Sequence, residues 1–320
     1  GQWVEKTATL RALGEYCYIW VANENYNNSS TVPNDNKIKS AQAKALQEKF
    51  DGTNTYNYDD GIFKNVTNIF GYEYGGGLDG DGGKDGDQHI SILVYDIDGD
   101  YEQAQNGGTM GYFWGKDFYD QATMTAYGLK TNYMEIFYVD AHLTDSASEQ
   151  IFSTLAHEYQ HMIHFARKAI EKNLESPTWF NEMCSMNAED LVLKNIGLDP
   201  VSYGAQNRLP EFLFHYAESG ISDWLGDYDV LKSYATSFAF GAFLSRTYGG
   251  ADFYKALMDS DYAGALAISD AISETSSIHK FTNDDFSSAM KRYGEALVFT
   301  NENTKASTFN KAVTSTIDGI

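Results

Sequence analysis

Two hydrophobic patterns follow each other along the chain, and the change between them comes near residue 145. Before it, short runs of β-branched and aromatic residues stand between stretches rich in Gly, Asn, Ser and Asp, which predicts strands joined by loops. After it, apolar residues recur at the spacing of an amphipathic helix. The strands predicted in the first part are residues 16–21, 90–95, 111–114 and 135–140, with one helix at 38–50.

The second pattern predicts a nearly all-helical region. Hydroxyl and carboxylate groups at residues 144–146 are suited to an N-cap, and a helix is expected from there through Ile170. Together the two patterns predict an α+β fold, with a β-rich lobe at 1–145 and a helical lobe at 146–320 that form one functional unit. The helix at the boundary should lie between the lobes. The further predicted helices are residues 179–196, 208–219, 228–248, 252–258, 266–274 and 283–299.

The net charge of the chain limits the classes of molecule that are expected as partners. The 320 residues include 45 acidic and 23 basic side chains, a formal net charge of −22. Such a surface repels nucleic acid and anionic membranes, so neither is an expected partner. No run of 18 or more apolar residues occurs, so no transmembrane segment is expected. No signal sequence is expected within these residues, and the chain is predicted to be the mature form of an extracellular or cell-surface protein. Cys17 and Cys184 fit no metal-ligand spacing, and a single disulfide between them is left open.

One predicted helix carries a pattern with chemical meaning, His157-Glu158-Tyr159-Gln160-His161. Residues four apart return to nearly the same face of a helix, so the two histidines should project side by side. Two imidazoles at this spacing are typical of a helix that binds Zn²⁺, and the glutamate after the first is positioned as a general base. The pattern predicts His157 and His161 as metal ligands and Glu158 as the base.

A catalytic zinc takes three protein ligands and keeps a position for water, so a third ligand is expected. Glu182 lies 21 positions after His161 on the next predicted helix, which leaves room for the chain to turn back. His164 is predicted to be a packed or hydrogen-bonded histidine, since the three-histidine pattern would need Gly at 164 and His at 167. The nearest downstream carboxylates are Glu171 and Glu175, at the helix end or in the turn, then Glu182 and Glu189.

Two acidic, glycine-containing stretches, residues 75–87 and 96–102, are predicted as loops. Loops rich in carboxylate and carbonyl oxygens can bind Ca²⁺. The second stretch does not fit the EF-hand loop, because Tyr101 and Gly107 stand where glycine and the closing glutamate are required. Solvated turns between strands and calcium sites are both left open, and Ca²⁺ is a second candidate cofactor after Zn²⁺.

The residues around Glu182 resemble those of known enzymes. His-Glu-x-x-His followed by Asn181-Glu182 is similar to the gluzincin metallopeptidases, and the form Trp179-x-Asn181-Glu182 also resembles the aminopeptidase N group. Over residues 110–250 the chain resembles the hyicolysin family of bacterial zinc metallopeptidases. Met183 departs from the Gly of some members, and Met186 from the Asp of the thermolysin-like group. The segments that carry the likeness are residues 113–114, 135–140, 157–162 and 179–182.

The resemblance implies a zincin-type fold with a thermolysin-like catalytic core, in which Glu182 is the third zinc ligand. It implies that Asn181 braces a zinc histidine and that Glu189 supplies a second such contact. Tyr234 is implied as the donor to the developing oxyanion, with His215 as the alternative. An edge strand before the active-site helix would bind extended substrate by β-augmentation. The candidates for it are Gly111, Tyr112, Phe113 and Trp114, with an ordinary buried strand as the alternative.

The predicted function is zinc-dependent endopeptidase activity on protein or peptide substrates, with a metal-activated water as nucleophile and Glu158 as general base. An aminopeptidase of the same fold is one alternative. It is disfavoured because Gly108-Thr109-Met110-Gly111 lacks the glutamate with which that group anchors a substrate amino terminus. A non-catalytic surface module ordered by Ca²⁺ is the other alternative, and the intact Glu158 argues against it.

Overall fold

The computed structural model of the chain describes residues 3–53, 60–77, 80–99, 108–146, 148–226 and 229–298. The predicted α+β composition is confirmed, with five strands in one sheet and twelve helices within these ranges. The strands are β1 (Ala8–Leu13), β2 (Cys17–Ala22), β3 (Ile90–Tyr95), β4 (Gly111–Phe113) and β5 (Ile136–Asp140).

The helices of the first half are α1 (Ser40–Asp51), α2 (Ile62–Phe70), α3 (Gln121–Ala126) and α4 (Ala141–Ser146). Those that follow are α5 (Ser148–His164), α6 (Thr178–Val192), α7 (Pro200–Tyr203), α8 (Leu209–His215), α9 (Val230–Tyr248), α10 (Ala251–Asp259), α11 (Gly264–Glu274) and α12 (Phe286–Val298). A π-helical turn, Phe165–Ile170, continues α5.

The chain forms two compact units. The first comprises Gly1–Thr67, Tyr72–Phe165 and Asn195–Leu198, and the second comprises Asn68–Gly71, Ala166–Lys194 and Asp199–Ile320. The division into lobes at 1–145 and 146–320 stays a prediction.

The sheet of the first unit has the order β1-β2-β3-β5-β4. The three central strands are parallel, and β1 and β4 run antiparallel to their neighbours at the two edges. Successive side chains of a strand point to opposite faces. One face carries Ile19, Ile92 and Phe137, which the register aligns in a row and which are fully buried. Phe137 packs against Phe50 of α1, so this is the face that the helices cover.

The other face carries a second aligned row, Trp20, Leu93, Tyr138 and Tyr112, one residue from each of four neighbouring strands. Of the four, only Tyr138 is fully buried. The contrast with the fully buried row of Ile19, Ile92 and Phe137 sets a helix-covered face apart from a mainly aromatic, partly exposed face.

Helix α5 forms because its apolar residues recur at intervals of three and four residues, which places them on one face of a helix. Ile151, Leu155, Met162 and Ile163 are fully buried on this helix. The helix continues to Ile170 as predicted, although its last six residues are π-helical. The predicted N-cap at 144–146 is wrong, because those residues are themselves helical and belong to α4. Asp140 caps that helix instead, since its Oδ1 accepts the N–H of Leu143 at 3.1 Å.

Helices α6 and α9 pack together in the second unit, and Gly241 makes their close approach feasible. A Cβ at Gly241 would lie 2.2 Å from Nδ2 of Asn187 and 2.6 Å from Cγ of Met183. Any side chain there would therefore push α9 away from α6. Helix α6 begins after Pro177, close to the start predicted from Ser176-Pro177.

Buried Lys168, on the π-helical turn, is bonded to residues at and beyond the end of α10. Its ammonium donates to the carbonyl oxygens of Leu257 and Ser260, each at 2.6 Å, and of Tyr262 at 2.9 Å. Carbonyls at a helix C-terminus lack intrahelical donors, and a cation at that end also interacts favourably with the helix dipole. This contact fixes the end of α10 to the segment that follows α5.

Candidate metal centre

The two predicted metal-binding histidines lie one turn apart on α5. Their Nε2 atoms are 3.1 Å apart, and the ring planes are inclined at 80°. Two nitrogens at this separation can both lie about 2.0–2.1 Å from one ion, the usual Zn–N distance. Both rings are half-buried. The four-residue spacing on a helix therefore gives the paired imidazoles that the sequence predicted.

Glu182 of α6 offers the third ligand atom. One ligand atom from each of His157, His161 and Glu182 lies within 4.8 Å of the other two. Across the described ranges, these three residues form the one group of His, Cys, Asp or Glu side chains with metal-binding separations. Two imidazole nitrogens and a carboxylate oxygen suit Zn²⁺. His164 is buried at the end of α5 and does not belong to the group.

Glu158 is only 6% exposed, although it follows a half-buried histidine. Strand β4 passes close to it at Gly111. A Cβ on Gly111 would lie 2.7 Å from Cγ2 of Thr154, 2.8 Å from the carbonyl oxygen of Tyr138 and 3.2 Å from Cγ of Glu158. The lack of a side chain at Gly111 therefore lets β4 approach the helix turn that carries the predicted base.

A further contact, which no sequence pattern predicted, fixes the turn that contains the motif. Tyr159, fully buried, donates its O–H to Oε2 of Glu73 at 2.5 Å. Burial raises the pKa of Glu73 and also that of the Tyr159 phenol. The rings of Phe50 and Phe63 pack against Tyr159. Glu73 is 86 positions away in the chain, a distance over which no local pattern links two residues.

Residues 16–310 match the peptidase M30 family. The chain belongs to this family. It is also 29% identical over 285 residues to the neutral metalloprotease ShpI of Staphylococcus hyicus. That alignment covers 84% of this chain and 54% of the relative, so the chain spans about half the length of the protein it matches. The predicted likeness to the hyicolysin family is confirmed.

In this member of the M30 family, β4 presents different residues to the two faces of the sheet. Gly111 lies on the face of α5, and so does Phe113, whose ring centroid is 5.7 Å from that of Phe165. Tyr112 lies on the opposite face, stacked on Tyr138 at 4.4 Å, and Trp114 follows the strand. Among the described strands β4 pairs with β5 alone. The predicted edge strand is thus an edge strand, and its role in binding substrate stays a prediction.

The remaining predicted site residues lie on helices of the second unit. Asn181 precedes Glu182 on α6, and buried Glu189 lies two turns further along. Tyr234 of α9 is half-buried, with its ring 5.1 Å from that of Trp224. His215 is the last residue of α8, and its Nδ1 lies 2.7 Å from Oε1 of Glu218. The catalytic and supporting roles of these residues stay predictions.

Other expectations for the M30 chain have mixed outcomes. Cys17 and Cys184 are both buried and free, so the disulfide left open from the sequence is not formed. Residues 78–79 and 100–102 of the two acidic stretches lie outside the described residues, and calcium binding stays a prediction. None of the helices in the described ranges combines the length and the apolar character of a membrane-spanning segment.

Proposed function

We propose that this chain is a zinc-dependent endopeptidase. The observation that carries the proposal is the donor set of His157, His161 and Glu182, with ligand atoms within 4.8 Å of one another. This set matches the two histidines and one carboxylate of metallopeptidases that leave a metal position open for water. Membership of a peptidase family supports protein or peptide substrates.

Zn²⁺ fits these donors better than a harder ion would, because two of the three are imidazole nitrogens. When bound, Zn²⁺ would lower the pKa of a coordinated water towards about 7 and polarise the scissile carbonyl. His157, His161 and Glu182 would hold it. Glu189 and Asn181 are proposed to accept or donate hydrogen bonds that orient these ligands.

Glu158 is proposed to remove a proton from the attacking water and to return it to the leaving amine. Its burial supports this role, since a base shielded from bulk solvent is in contact with few water molecules besides the one that attacks. Position also supports it: on a helix, residue 158 is rotated by roughly 100° from residue 157, beside the histidines rather than among the ligand atoms. Tyr234, or His215 in its place, is proposed to donate a hydrogen bond to the developing oxyanion.

Strand β4 is proposed to bind the substrate backbone. An edge strand presents N–H and C=O groups to which an extended peptide can add by β-augmentation. Its approach to Glu158 through Gly111 would bring a peptide on this edge near the base. The proposal includes a zincin-type arrangement of the lobes and an extracellular or cell-surface location.

The first test is metal content and hydrolysis of casein by the purified chain. We expect about one equivalent of zinc, loss of zinc in Glu182→Ala and His161→Ala, and casein hydrolysis that a chelator abolishes. Glu158→Gln should keep the metal and lose activity by a factor of at least about 10², the lower range for general-base catalysis. Glu149→Gln, in the first turn of the same helix, is the matched control and should keep both. Full activity in Glu158→Gln with zinc retained would reject the base role.

A second test separates endopeptidase from aminopeptidase activity. A peptide with an acetylated amino terminus remains a substrate for an endopeptidase but not for an enzyme that needs the free amine. We expect internal cleavage of the blocked peptide, detected by mass spectrometry of the fragments. Removal of single residues from the unblocked peptide only, with the blocked one intact, would instead favour the aminopeptidase alternative.

A further inference from the structure

The aromatic face of the sheet opens on a cavity of about 1040 Å³. Of the described residues that line it, only Tyr112 and Trp114 also belong to the segment predicted to bind substrate, and none is a predicted metal ligand or the predicted base. Leu93, Tyr138 and Tyr112 from the aligned row form part of its wall, together with Tyr95. An α+β sheet ordinarily buries such a face beneath another layer. Here aromatic rings border open space of a volume at the upper end of small-molecule sites.

Two tryptophans extend the aromatic surface of this cavity. Trp3 is 44% exposed and Trp114 is 43% exposed, with ring centroids 5.5 Å apart and planes inclined at 32°. The ammonium of Lys116 lies 5.5 and 5.2 Å from the two ring centroids and 2.7 Å from Asp117. This cation–π contact fixes both indoles in place while large parts of each ring remain exposed. Exposed, fixed aromatic rings at a cavity indicate a ligand that stacks on them.

The phenols in the wall are also fixed before any ligand arrives. The hydroxyls of Tyr95 and Tyr112 are 2.9 Å apart, and Tyr138 donates to Oδ2 of Asp117 at 2.7 Å. Asn132 donates to the Tyr138 oxygen at 2.7 Å. Because these side chains are already ordered, a ligand would lose little affinity to the cost of immobilising them.

Charge in the cavity wall points to a neutral ligand. Among the described residues that line it, four lysines balance four carboxylates, although the whole chain carries a net charge of −22. An anion or a cation would be repelled by half of these groups. A neutral molecule with many hydroxyls could instead use both the donors and the acceptors. The lysines are Lys6, Lys37, Lys116 and Lys130, and the carboxylates are Glu5, Glu24, Asp96 and Asp98.

We propose that this cavity binds a neutral oligosaccharide. The C–H groups on one side of a sugar ring are positively polarised and pack on the negative faces of aromatic rings, which Trp3 and Trp114 offer. The sugar hydroxyls would bond to the charged and amide side chains of the wall. The site lies on the first unit, and none of its described wall residues is a predicted metal ligand or the predicted base, so it would bind sugar whether or not the chain is a peptidase.

The test is isothermal titration of the full chain with cellopentaose, maltopentaose and chitopentaose. At least one should bind, and Trp3→Ala and Trp114→Ala should each weaken that binding tenfold or more. Trp3→Phe should keep most of the affinity, because the ring that stacks is retained. The matched control is Tyr216→Ala, which removes an aromatic ring of the second unit that is 56% exposed and should bind as the unaltered chain does.

Three results would overturn the proposal. One is the absence of binding to all three sugars at millimolar concentration. Another is binding that neither tryptophan substitution weakens. The third is binding of acetylated peptides without any oligosaccharide, which would make the cavity a peptide subsite. Glu158→Gln should bind the sugar unchanged, so failure of the peptidase proposal and failure of this one are separate outcomes.

Discussion

Gly111 offers the sharpest test of how closely β4 approaches α5. In Gly111→Ala the new methyl group would lie 2.7 Å from Cγ2 of Thr154 and 2.8 Å from the carbonyl oxygen of Tyr138. Carbon atoms in contact are normally about 3.5–4.0 Å apart, so both contacts are far too short. The carbonyl belongs to central strand β5 and cannot move easily. We therefore expect the edge strand β4 to shift away from the helix.

The cost can be worked out from these contacts. Overpacking of a well-packed region costs about 1–3 kcal/mol. Replacing glycine within a strand recovers roughly 0.5–1 kcal/mol of backbone entropy. The net loss in the free energy of unfolding should be about 0.5–2 kcal/mol, measured by urea denaturation. Because Cγ of Glu158 is also only 3.2 Å from the new methyl carbon, we expect kcat/KM to fall by more than stability alone would explain, by up to about 10²-fold.

Two further variants make this result interpretable. In Gly294→Ala, in α12, the added Cβ has no described atom within 4 Å outside its chain neighbours and the backbone of its own helix, and the change should stabilise the chain by up to about 1 kcal/mol. Thr154→Ser removes the Cγ2 that makes the shorter contact and should recover part of the loss in the double variant with Gly111→Ala. If Gly111→Ala unfolds at the same urea concentration as the unaltered chain, with unchanged kcat/KM, the close approach of β4 to α5 is refuted.

Three other contacts give predictions of stability. Burial raises the pKa of Glu135 from 4.5 to about 7, so the folded state is most stable below pH 4.5, where this side chain is neutral, and loses that stability as pH rises through 7. Glu135→Gln should therefore raise the free energy of unfolding by up to ~3 kcal/mol at pH 8 and leave it unchanged at pH 4. Equal effects at both pH values would contradict this. Tyr159→Phe leaves the buried carboxylate of Glu73 without its phenol donor and should lower the free energy of unfolding by about 1–3 kcal/mol, measured by thermal denaturation. If the two residues are coupled, the same substitution should cost less in a chain that already carries Glu73→Gln. Lys168→Met leaves the carbonyl oxygens of Leu257 and Tyr262 without this donor, and that of Ser260 with Lys172 as its remaining one, and should cost about 3 kcal/mol. The partly exposed Lys172→Met should cost under about 1 kcal/mol. Equal losses would show that burial does not decide the strength of this contact.

Local patterns predicted the elements whose form is set by neighbouring residues. Strand β3 matches its predicted bounds, and α1, α6 and α9–α12 lie within a few residues of theirs. Strand β1 and helix α2 were missed. Half of β1 is exposed on an edge, so it lacks a clear apolar alternation. Helix α2 is nine residues long and strongly apolar, a length at which helix and strand patterns are hard to separate.

The candidate site likewise contains residues that local patterns predict and residues that only the packing of distant segments brings together. His157, Glu158 and His161 could be found because one helix carries them, and Glu182 because the next helix follows after a short turn. The partner of Tyr159 could not be found, because Glu73 is brought to it by the packing of distant segments. The glycine at 111 was predicted as part of a strand, but its reason for being glycine depends on a helix forty residues later.

Helix α5 shows why these non-local contacts matter for the proposed chemistry. Both imidazoles and the base are attached to one turn of this helix, so a roll of the helix about its axis would move all three together. Gly111 sets the distance of β4 from that turn, and the bond from Tyr159 to Glu73 opposes rotation from the buried side. A roll that spoils the metal ligands would also misplace Glu158. We therefore expect Tyr159→Phe and Gly111→Ala to weaken zinc binding as well as lower activity, which metal-competition titration can measure separately from turnover.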